Sequence, residues 1–413
     1  MAVAQPAKEV TLRSIGMSVY APTFLFAVGQ GAVIPIVALA AKDLGASIAL
    51  AGLIVALRGI GILAFDIPAG WLVDKFGERK AMAAGTFLVV GTLAGSALSP
   101  NPWVFGASTF LMGCGWAVWL LARLTYVSDI MPMHMRGRAL STLGGVNRVG
   151  SFIGPFLGAG IATFAGLDGA YYIHIITALA ACGMLIVLVK DGRDGKVVQE
   201  KGHGNFVNIV RENSGVFMTA GVGVMAIQTL RAARQLVLPL WADHIGLDSS
   251  LVSVVFGISV GMEMTLFYPA GSAMDRFGRK AVALPCLAIM AIGMLLMPLT
   301  HSFWSLTVVG LVIGFGNGLG SGIVMTLGAD YCPPFGRARF LGAWRVCGDL
   351  GTAGGPLVVA GAISAASLGG ASLLMGAIGL FGAALIYFRR PEPLRRQPRI
   401  VLPEPEPEPT PGA

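Results

Sequence analysis

Nine ionisable side chains interrupt the long apolar stretches of this 413-residue sequence, and they are its strongest candidates for chemistry. An ionised side chain at the centre of a lipid bilayer costs at least about 2.5 kcal/mol on insertion scales, so each one needs a partner, a wet cavity or a function. Carboxylates in such places can carry protons, and arginines can bind anions. The nine residues are Arg58, Asp66, Arg123, Arg148, Arg231, Arg234, Glu263, Arg345 and Asp349.

Three of the nine are carboxylates that can bind and release a proton, namely Glu263, Asp66 and Asp349. Glu263 is the first candidate because it is the deepest, about 18 Å from Asp275 at the loop end of its stretch for a rise of 1.5 Å per residue. The alternative is that all three only form structural ion pairs, which resemble active sites. Arg345 and Asp349 are four residues apart on one helical face, so they can also pair with each other.

The other six are arginines, and their excess over the carboxylates favours an anionic or zwitterionic ligand over a plain organic cation. Arg231 and Arg234 are three residues apart and share a helical face, where they can attract an anionic ligand or lie at the outer mouth of the bundle. Each arginine is a candidate for ligand binding or for an ion pair: Arg58, Arg123, Arg148, Arg231, Arg234 and Arg345.

Other kinds of chemistry have no pattern in the sequence. We find no Gly-rich nucleotide loop, no Ser/His/Asp set and no metal-ligand cluster, so we expect neither an enzyme nor a bound cofactor or metal. The five cysteines have neither metal-ligand spacing nor an obvious disulfide partner. His174 stands alone in its stretch and is expected to be a packed or interfacial residue rather than a ligand.

The elements that hold these residues are predicted to be membrane-spanning helices. The chain is 55% hydrophobic and 12% charged, which excludes an ordinary soluble domain. Runs of about 20 apolar residues, the length needed to span a bilayer as a helix, recur along the chain and favour helices over barrel strands. We predict an all-α membrane protein with twelve spans, at 17–41, 48–70, 81–98, 103–128, 140–163, 170–189, 215–241, 250–271, 282–299, 303–328, 340–364 and 368–388.

The basic residues predict the orientation. Lysines and arginines outside the apolar stretches concentrate in alternate loops, whereas the intervening loops contain almost only Lys42. By the positive-inside rule, both termini and the central segment are cytoplasmic, in the plasma or inner membrane. We find no cleavable signal peptide. The predicted divisions are a cytoplasmic N-terminus at 1–16, a six-helix bundle at 17–189, a linker at 190–214, a second bundle at 215–388 and a disordered Pro/Glu-rich tail at 389–413.

The two predicted bundles are copies of one pattern. A constant shift of 201 residues superposes glycine, aspartate, tryptophan, arginine and proline positions, which chance does not readily produce. Parallel repeats of this kind are typical of transporters that bind a ligand between their halves. The matches include Gly70 with Gly271, Asp74 with Asp275, Trp103 with Trp304, Arg136 with Arg337 and Pro155 with Pro356.

Two loop segments resemble the motif that follows helix two in the major facilitator superfamily. Glycines there allow a tight turn and close helix approach, and the aspartate can accept hydrogen bonds from basic groups or a helix N-terminus. The resemblance implies that both segments form gates on the cytoplasmic side. The motif residues are Gly70, Asp74, Gly77 and Arg79 in the first copy, and Gly271, Asp275, Gly278 and Arg279 in the second.

The fifth span adds a second resemblance, to the motif of the antiporter branches of that superfamily. Glycine and proline there give a small, kinkable face for contact with another helix. Together the motifs make the sequence similar to the twelve-helix drug:proton antiporters, over almost the whole chain. The motif residues are Gly150, Gly154, Pro155 and Gly158.

The resemblance implies two six-helix bundles that rock around a central cavity. In that arrangement helix five meets helix eight and helix two meets helix eleven. Because the depths match, we expect Arg148 to contact Glu263, and Asp66 to contact Arg345 or Asp349. None of the nine charged residues falls in spans three, six, nine or twelve, which the resemblance places towards lipid.

The predicted function is secondary active transport, as proton-coupled efflux of a small amphipathic or anionic molecule by alternating access. The alternative is a symporter or facilitator for uptake of an anionic metabolite. The expected partners are a small-molecule substrate, protons and the lipid bilayer, without nucleic acid, and the chain is expected to act as a monomer.

Overall fold

The protein is helical throughout the residues that its computed structural model describes, 15–189, 206–333 and 337–388. Helices suit a chain in lipid because every backbone N–H and C=O is paired within the element. The spans are α1 Gly16–Asp43, α2 Ile48–Phe76, α3 Glu78–Ala97, α4 Pro102–Ile130, α5 Met133–Ala165, α6 Asp168–Leu188, α7 Ser214–His244, α8 Ser249–Thr265 with Phe267–Phe277, α9 Lys280–Leu299, α10 Phe303–Tyr331, α11 Arg337–Ala365 and α12 Leu368–Phe388.

Three spans are interrupted where the backbone loses helical hydrogen bonds. In α1, a 3₁₀ turn at Ile34–Ile36 surrounds Pro35, which has no N–H to donate. In α8, the chain bends by 42° between Thr265 and Phe267, because Pro269 cannot donate to the carbonyl four residues earlier. In α10, the helix breaks before Ile323 at Gly322, whose φ of +79° suits glycine.

The helices extend further than their apolar stretches. Helix α2 continues to Phe76 and α8 to Phe277, so that Asp74 and Asp275 lie in the last helical turns rather than in loops. Hydropathy marks where a span leaves the hydrocarbon, whereas the helix ends only at Gly77 and Gly278, with φ of +79° and +89°. The predicted N-terminus and tail lie outside the described residues, except 15 and 16, and so does 190–205 of the predicted linker. A short helix, Phe206–Glu212, precedes α7.

The twelve spans form two six-helix bundles with separate apolar cores. Phe26, Trp119 and Tyr171 are fully buried in the first core, and Leu230, Met290 and Ile313 in the second. Ala38 and Leu39 of α1 also join the second core, so the two bundles touch there.

Glycines allow one helix of each bundle to pack closely against its neighbour. A β-carbon on Gly154 of α5 would strike the carbonyl of Val28 in α1, and Gly150 and Gly158 also face α1. The equivalent Gly355 of α11 lies against the carbonyl of Thr229 in α7. The contact predicted for the helix-five motif is therefore present, it is made within the bundle, and the repeat reproduces it.

The helix ends lie on two opposite faces of the molecule. The motif face carries the helix ends at Phe76, Ile130, Phe277 and Tyr331, and the opposite face carries those at Asp43, Ala97, His244 and Leu299.

Candidate functional site

The polar residues at mid-depth form two charged clusters where the bundles meet. The first, which we call the arginine cluster, contains Arg148, Arg231, Arg234, Glu263 and Asn317. Glu263 lies halfway along α8, and its Oε1 accepts a hydrogen bond from Arg148 Nη1 of α5 at 2.7 Å. Its Oε2 accepts from Arg234 Nη2 of α7 at 3.3 Å and also from the Asn317 amide of α10. The expected contact between Arg148 and Glu263 is therefore present, and it joins the two bundles.

Arg231 completes this cluster without touching a carboxylate. Its Nε donates to Asn317 Oδ1 at 2.6 Å, its Nη1 to Gln228 Oε1 at 2.9 Å and its Nη2 to the Gly320 carbonyl at 2.8 Å. The Gly320 carbonyl, which lies where α10 breaks, also accepts from the Ile323 N–H at 3.2 Å. Arg231 and Arg234 thus lie in the middle of the bundle around Glu263 and Asn317, and not at an outer mouth.

The second cluster, the aspartate cluster, contains Asp66, Arg345 and Asp349. Arg345 Nη2 of α11 donates to Asp66 Oδ1 of α2 at 2.7 Å, across the two bundles. Arg345 Nε also lies 3.4 Å from Asp349 Oδ2 on its own helix. Arg345 therefore makes both contacts that the sequence suggested, one with Asp66 and one with Asp349.

Two oxygens of the aspartate cluster have no donor. Asp66 Oδ2 and Asp349 Oδ2 are buried without a hydrogen-bond partner among the described residues, and the two carboxyl groups lie within hydrogen-bonding reach of each other. Two carboxyl groups can share a hydrogen bond only if one of them carries a proton, because an ionised carboxylate only accepts. This geometry suits a single bound proton.

The repeat relates the two clusters and reverses their charge. Arg148 and Asp349 are 201 residues apart and occupy equivalent positions in α5 and α11. With every group ionised, the arginine cluster has an excess of positive charge and the aspartate cluster an excess of negative charge. The same fold position therefore carries a cation on one side of the molecule and an acid on the other.

A cavity of about 310 Å³ adjoins the two clusters, because Ser151 and Thr352 of its lining are about one helical turn from Arg148 and Asp349. Both bundles line it, and Arg58 of α2 is the only charged residue among the described lining residues. The Arg58 guanidinium lies 5.8 Å from the ring centroid of Trp116. The lining comprises Gln30, Ile34, Val37, Val55, Arg58, Gly59, Ile62, Thr109, Trp116, Ser151, Ala232, Gln235, Thr352 and Pro356.

Arg123 lies apart from both clusters. It is buried inside the first bundle, where Nη1 donates to Thr23 Oγ1 at 3.3 Å and the guanidinium stacks 4.1 Å from the Trp119 ring centroid. His174 is also buried there, edge-on to Phe26 at 5.1 Å. The packed role expected for His174 agrees with this position, whereas Arg123 faces no described carboxylate.

The motif face shows equivalent caps in the two bundles. Arg79 donates to the Ile186 carbonyl at 2.5 Å, and Lys280, 201 residues later, donates to the Tyr387 carbonyl at 2.8 Å. A cation at the C-terminal carbonyls of a helix also interacts favourably with the helix dipole. These residues therefore fasten α3 to α6, and α9 to α12, within their own bundles.

The two motif copies differ in the contacts of their aspartates. Arg279 contacts Asp330 at 2.6 Å and Asp275 at 3.7 Å, all within the second bundle. Asp74 is exposed, and no ion pair of it occurs among the described residues. The expected close helix approach at Gly70 and Gly271 is absent, since a β-carbon there would meet only Leu121 at 3.9 Å or nothing.

The opposite face is closed by contacts between the bundles. Lys42 of α1 forms an ion pair with Asp243 of α7. A β-carbon on Gly59 would lie 2.9 Å from Ala353 Cα, and Ser250 Oγ donates to the Ala159 carbonyl at 3.2 Å. Sequence reasoning missed the pair between Lys42 and Asp243, although the 201-residue repeat places them at equivalent positions.

Towards the motif face, by contrast, the bundles leave a groove. Its volume is about 640 Å³, and it lies between α1 and α5 on one side and Phe267 of α8 on the other. Tyr20, Phe24, Ser141 and Thr142 line it. The groove therefore opens between the bundles on the motif face.

Known proteins match the chain along most of its length. The family model of the Major Facilitator Superfamily matches residues 20–233 and 220–407. The multidrug resistance protein MdtH of Klebsiella pneumoniae is 25% identical over 348 residues, which cover 80% of this chain and 83% of that protein. The PmrA multi-drug resistance efflux pump homologue of Lactococcus lactis is 26% identical over 336 residues, covering 76% and 82%. The crystal structure of a D-xylose-proton symporter has the same fold, with a TM-score of 0.72 at 18% identity, covering 93% of this chain and 99% of that one.

Proposed function

The chain belongs to the Major Facilitator Superfamily of transporters, and we propose that it exports a small amphipathic or anionic molecule in exchange for protons. The observation that carries the proposal is the aspartate cluster, in which two carboxyl groups at mid-depth share one guanidinium across the bundle interface. Such a cluster can bind a proton and simultaneously change a contact between the bundles. The names of the relatives, which are multidrug resistance and efflux proteins, support the outward direction.

The proposed orientation puts the motif face in the cytoplasm of a cell bounded by the plasma or inner membrane. The loops of that face carry most of the lysines and arginines, as the positive-inside rule requires of cytoplasmic loops. With this orientation, the closed opposite face is external, and the groove lined by Tyr20 and Thr142 leads from the cytoplasm towards the cavity. The conformation is then the inward-open state of an alternating-access cycle.

The proposed proton site is Asp349 together with Asp66, in preference to Glu263. Glu263 accepts from two arginines and an amide, so all of its interactions favour a carboxylate that stays ionised and holds the bundles together. Asp349 instead shares Arg345 with Asp66. A proton on Asp349 leaves Arg345 wholly to Asp66 and completes the hydrogen bond between the two carboxyl groups.

This arrangement links the proton to the conformation. With Asp349 neutral, Arg345 is no longer shared between two charges, and its contact with Asp66 between α11 and α2 is stronger. Loss of the proton makes Asp349 a competitor for Arg345 and weakens the contact across the interface. A proton taken up outside therefore favours the return to the inward-open state, and its release to the cytoplasm allows the substrate-loaded carrier to turn outward.

Inside-out membrane vesicles test the direction and the coupling. We expect at least one member of a panel of anionic, zwitterionic and cationic amphipathic compounds to accumulate in vesicles that are acidic inside, and to leave when an ionophore removes the pH gradient. Vesicles without the protein are the control. Accumulation that requires an alkaline interior, or that ignores the gradient for every compound, contradicts proton-coupled export.

A second candidate function is uptake of an anionic metabolite by symport or facilitated diffusion. It is favoured by Arg58, a cation in the cavity that has no ion pair with a described residue, and by the surplus of arginine in the neighbouring cluster. The same vesicles distinguish the two functions, because a symporter moves its substrate in the direction of the proton flux and a facilitator needs no gradient.

A further inference from the structure

We infer that Arg58 binds the charged head of the substrate and Trp116 its body, and that the substrate is an amphipathic monoanion with a flat apolar or aromatic body. The inference rests on the proposed transport function and names the class of molecule that the cavity accepts. The cavity of about 310 Å³ is at the lower end of the range of small-molecule pockets, which suits a compound of one or two rings.

The charge of the cavity selects a single negative group. Arg58 contributes the only formal charge among the described lining residues, and the guanidinium has no hydrogen bond or ion pair to a described residue. The arginines of the neighbouring cluster differ, since Arg148 and Arg234 hold Glu263 and Arg231 is saturated by neutral acceptors. Arg58 is therefore the cation left to pair with a ligand, and a guanidinium binds a carboxylate or sulfonate through two parallel hydrogen bonds.

The position of Arg58 is built into the packing of α2 on α4. A β-carbon on Gly113 would strike the Arg58 carbonyl, and one on Gly61 would strike the Phe110 carbonyl. Only glycine allows this approach, which fixes the backbone at Arg58 beside Trp116. The fixed backbone means that little conformational entropy is lost when an anion binds.

The remaining walls match an apolar body with neutral polar groups at its edge. Trp116 is the one aromatic side chain among the described lining residues. Its ring is held by Trp119 at 5.2 Å and Phe26 at 5.5 Å between ring centroids, so an aromatic ligand can pack on a fixed indole. Gln30 and Thr352 reach the cavity from α1 and α11 and carry no charge. A cationic ligand finds no carboxylate among the described residues that line this space.

Three naphthalene derivatives of nearly equal shape test the inference. Equilibrium dialysis at pH 7 measures binding of 1-naphthoate, neutral 1-naphthamide and cationic 1-naphthylmethylammonium to the purified full chain in detergent, against protein-free micelles. We expect the carboxylate to bind most tightly. Arg58→Gln should weaken carboxylate binding about tenfold or more and leave amide binding unchanged, whereas Trp116→Leu should weaken both.

Controls separate recognition from folding. Arg58→Lys should retain part of the preference for the carboxylate, because the charge remains but the paired hydrogen bonds do not. Arg211→Gln removes an exposed charge outside the cavity and should change nothing. Thermal unfolding verifies that each variant is folded.

The inference is wrong if the wild type binds the amide or the ammonium compound as tightly as the carboxylate, if it binds none of the three, or if Arg58→Gln leaves carboxylate binding intact. Binding needs no gradient, so the inference can fail while proton-coupled transport stands. Conversely, a selective site in a protein that ignores the pH gradient would contradict only the proposed coupling.

Discussion

The two clusters that join the bundles share a place in the fold but differ in how their charges are balanced. In the arginine cluster, one carboxylate, Glu263, is surrounded by Arg148, Arg234 and Asn317, and each of its oxygens has a donor. In the aspartate cluster, Asp66 and Asp349 compete for one arginine, and two buried oxygens accept no hydrogen bond from a described residue, although one of them lies 3.4 Å from Arg345 Nε. A saturated carboxylate is suited to hold two helices together, and an unsaturated pair is suited to bind and release a proton.

The difference is confined to side chains. Helix α5 of the arginine cluster sits on α1 through Gly154, and α11 of the aspartate cluster sits on α7 through Gly355, with the same backbone contact in each. The repeat therefore provides two equivalent backbone frames, which carry opposite charges at one repeat position, Arg148 in the first and Asp349 in the second.

The largest expected effect is on the rate of transport, which should depend on the aspartate cluster. Asp349→Asn should lower gradient-driven transport about tenfold or more, because the cluster no longer exchanges a proton, and it should also slow substrate exchange at equal pH, because the loaded carrier turns outward only after the proton leaves. Initial rates in inside-out vesicles with and without a pH gradient measure both quantities. Full gradient-driven transport by Asp349→Asn would remove the distinction between the clusters.

The second effect concerns stability. Glu263→Gln leaves Arg148 and Arg234 without their carboxylate and should lower the free energy of unfolding by about 3 kcal/mol, as expected when a buried ion pair is broken. Denaturant unfolding in micelles measures the loss, with the exposed Glu212→Gln as a matched control. The folded fraction should retain the response to the pH gradient. A stable variant that lacks this response would assign the proton to Glu263.

The third test asks whether the packing of α5 on α1 and the packing of α11 on α7 contribute equally to stability. Gly154→Ala and Gly355→Ala each place a β-carbon against a carbonyl of the facing helix, and each should cost about 1–3 kcal/mol of unfolding free energy. Gly160→Ala and Gly354→Ala are the controls, since a β-carbon there meets no atom within 4 Å. Losses that differ widely between Gly154 and Gly355 would show that the frames, and not only their charges, have diverged.

The smallest effect is expected at the opposite face. Lys42 and Asp243 are each about a third exposed, so the pair contributes about 0.2–1 kcal/mol to closure. In a chain without native cysteines, Lys42→Gln should speed labelling of Thr109→Cys by an impermeant maleimide from that side by up to about fivefold. The exchange Lys42→Asp with Asp243→Lys should restore slow labelling. If the exchanged pair labels as fast as Lys42→Gln, the ion pair has no role in closure.

The sequence predicted the depth of each charged side chain in the membrane better than the side of the helix on which it lies. Apolar stretches and the repeat were enough to place Arg148 level with Glu263 and Asp66 level with Arg345, and the family arrangement identified the facing helices. Hydropathy carries no information about which side of a helix faces a partner, so the separate position of Arg123 against Trp119 was not foreseen. The sharing of Arg345 by two aspartates depends on side-chain geometry and also required the structure.

Features that depend on conformation were also beyond the sequence. Gly70 and Gly271 were expected at a close helix contact, but a β-carbon on either would meet no atom closer than 3.9 Å. The pair of Lys42 with Asp243 lies at helix ends outside the apolar core, where charges carry no penalty that would draw attention to them. The 201-residue repeat offered a signal for this pair, because a contact across a two-fold axis joins equivalent positions.

One measurement tests the proton assignment without knowledge of the substrate. Spin labels at Lys75 and Arg276, exposed and equivalent positions at the motif face, report the separation of the bundles by pulsed electron resonance. We predict a longer distance at pH 5 than at pH 8 for the wild type and for Glu263→Gln, and a long distance at both pH values for Asp349→Asn. A distance that still changes with pH in Asp349→Asn, or that no longer changes in Glu263→Gln, would contradict the assignment of the proton to the aspartate cluster.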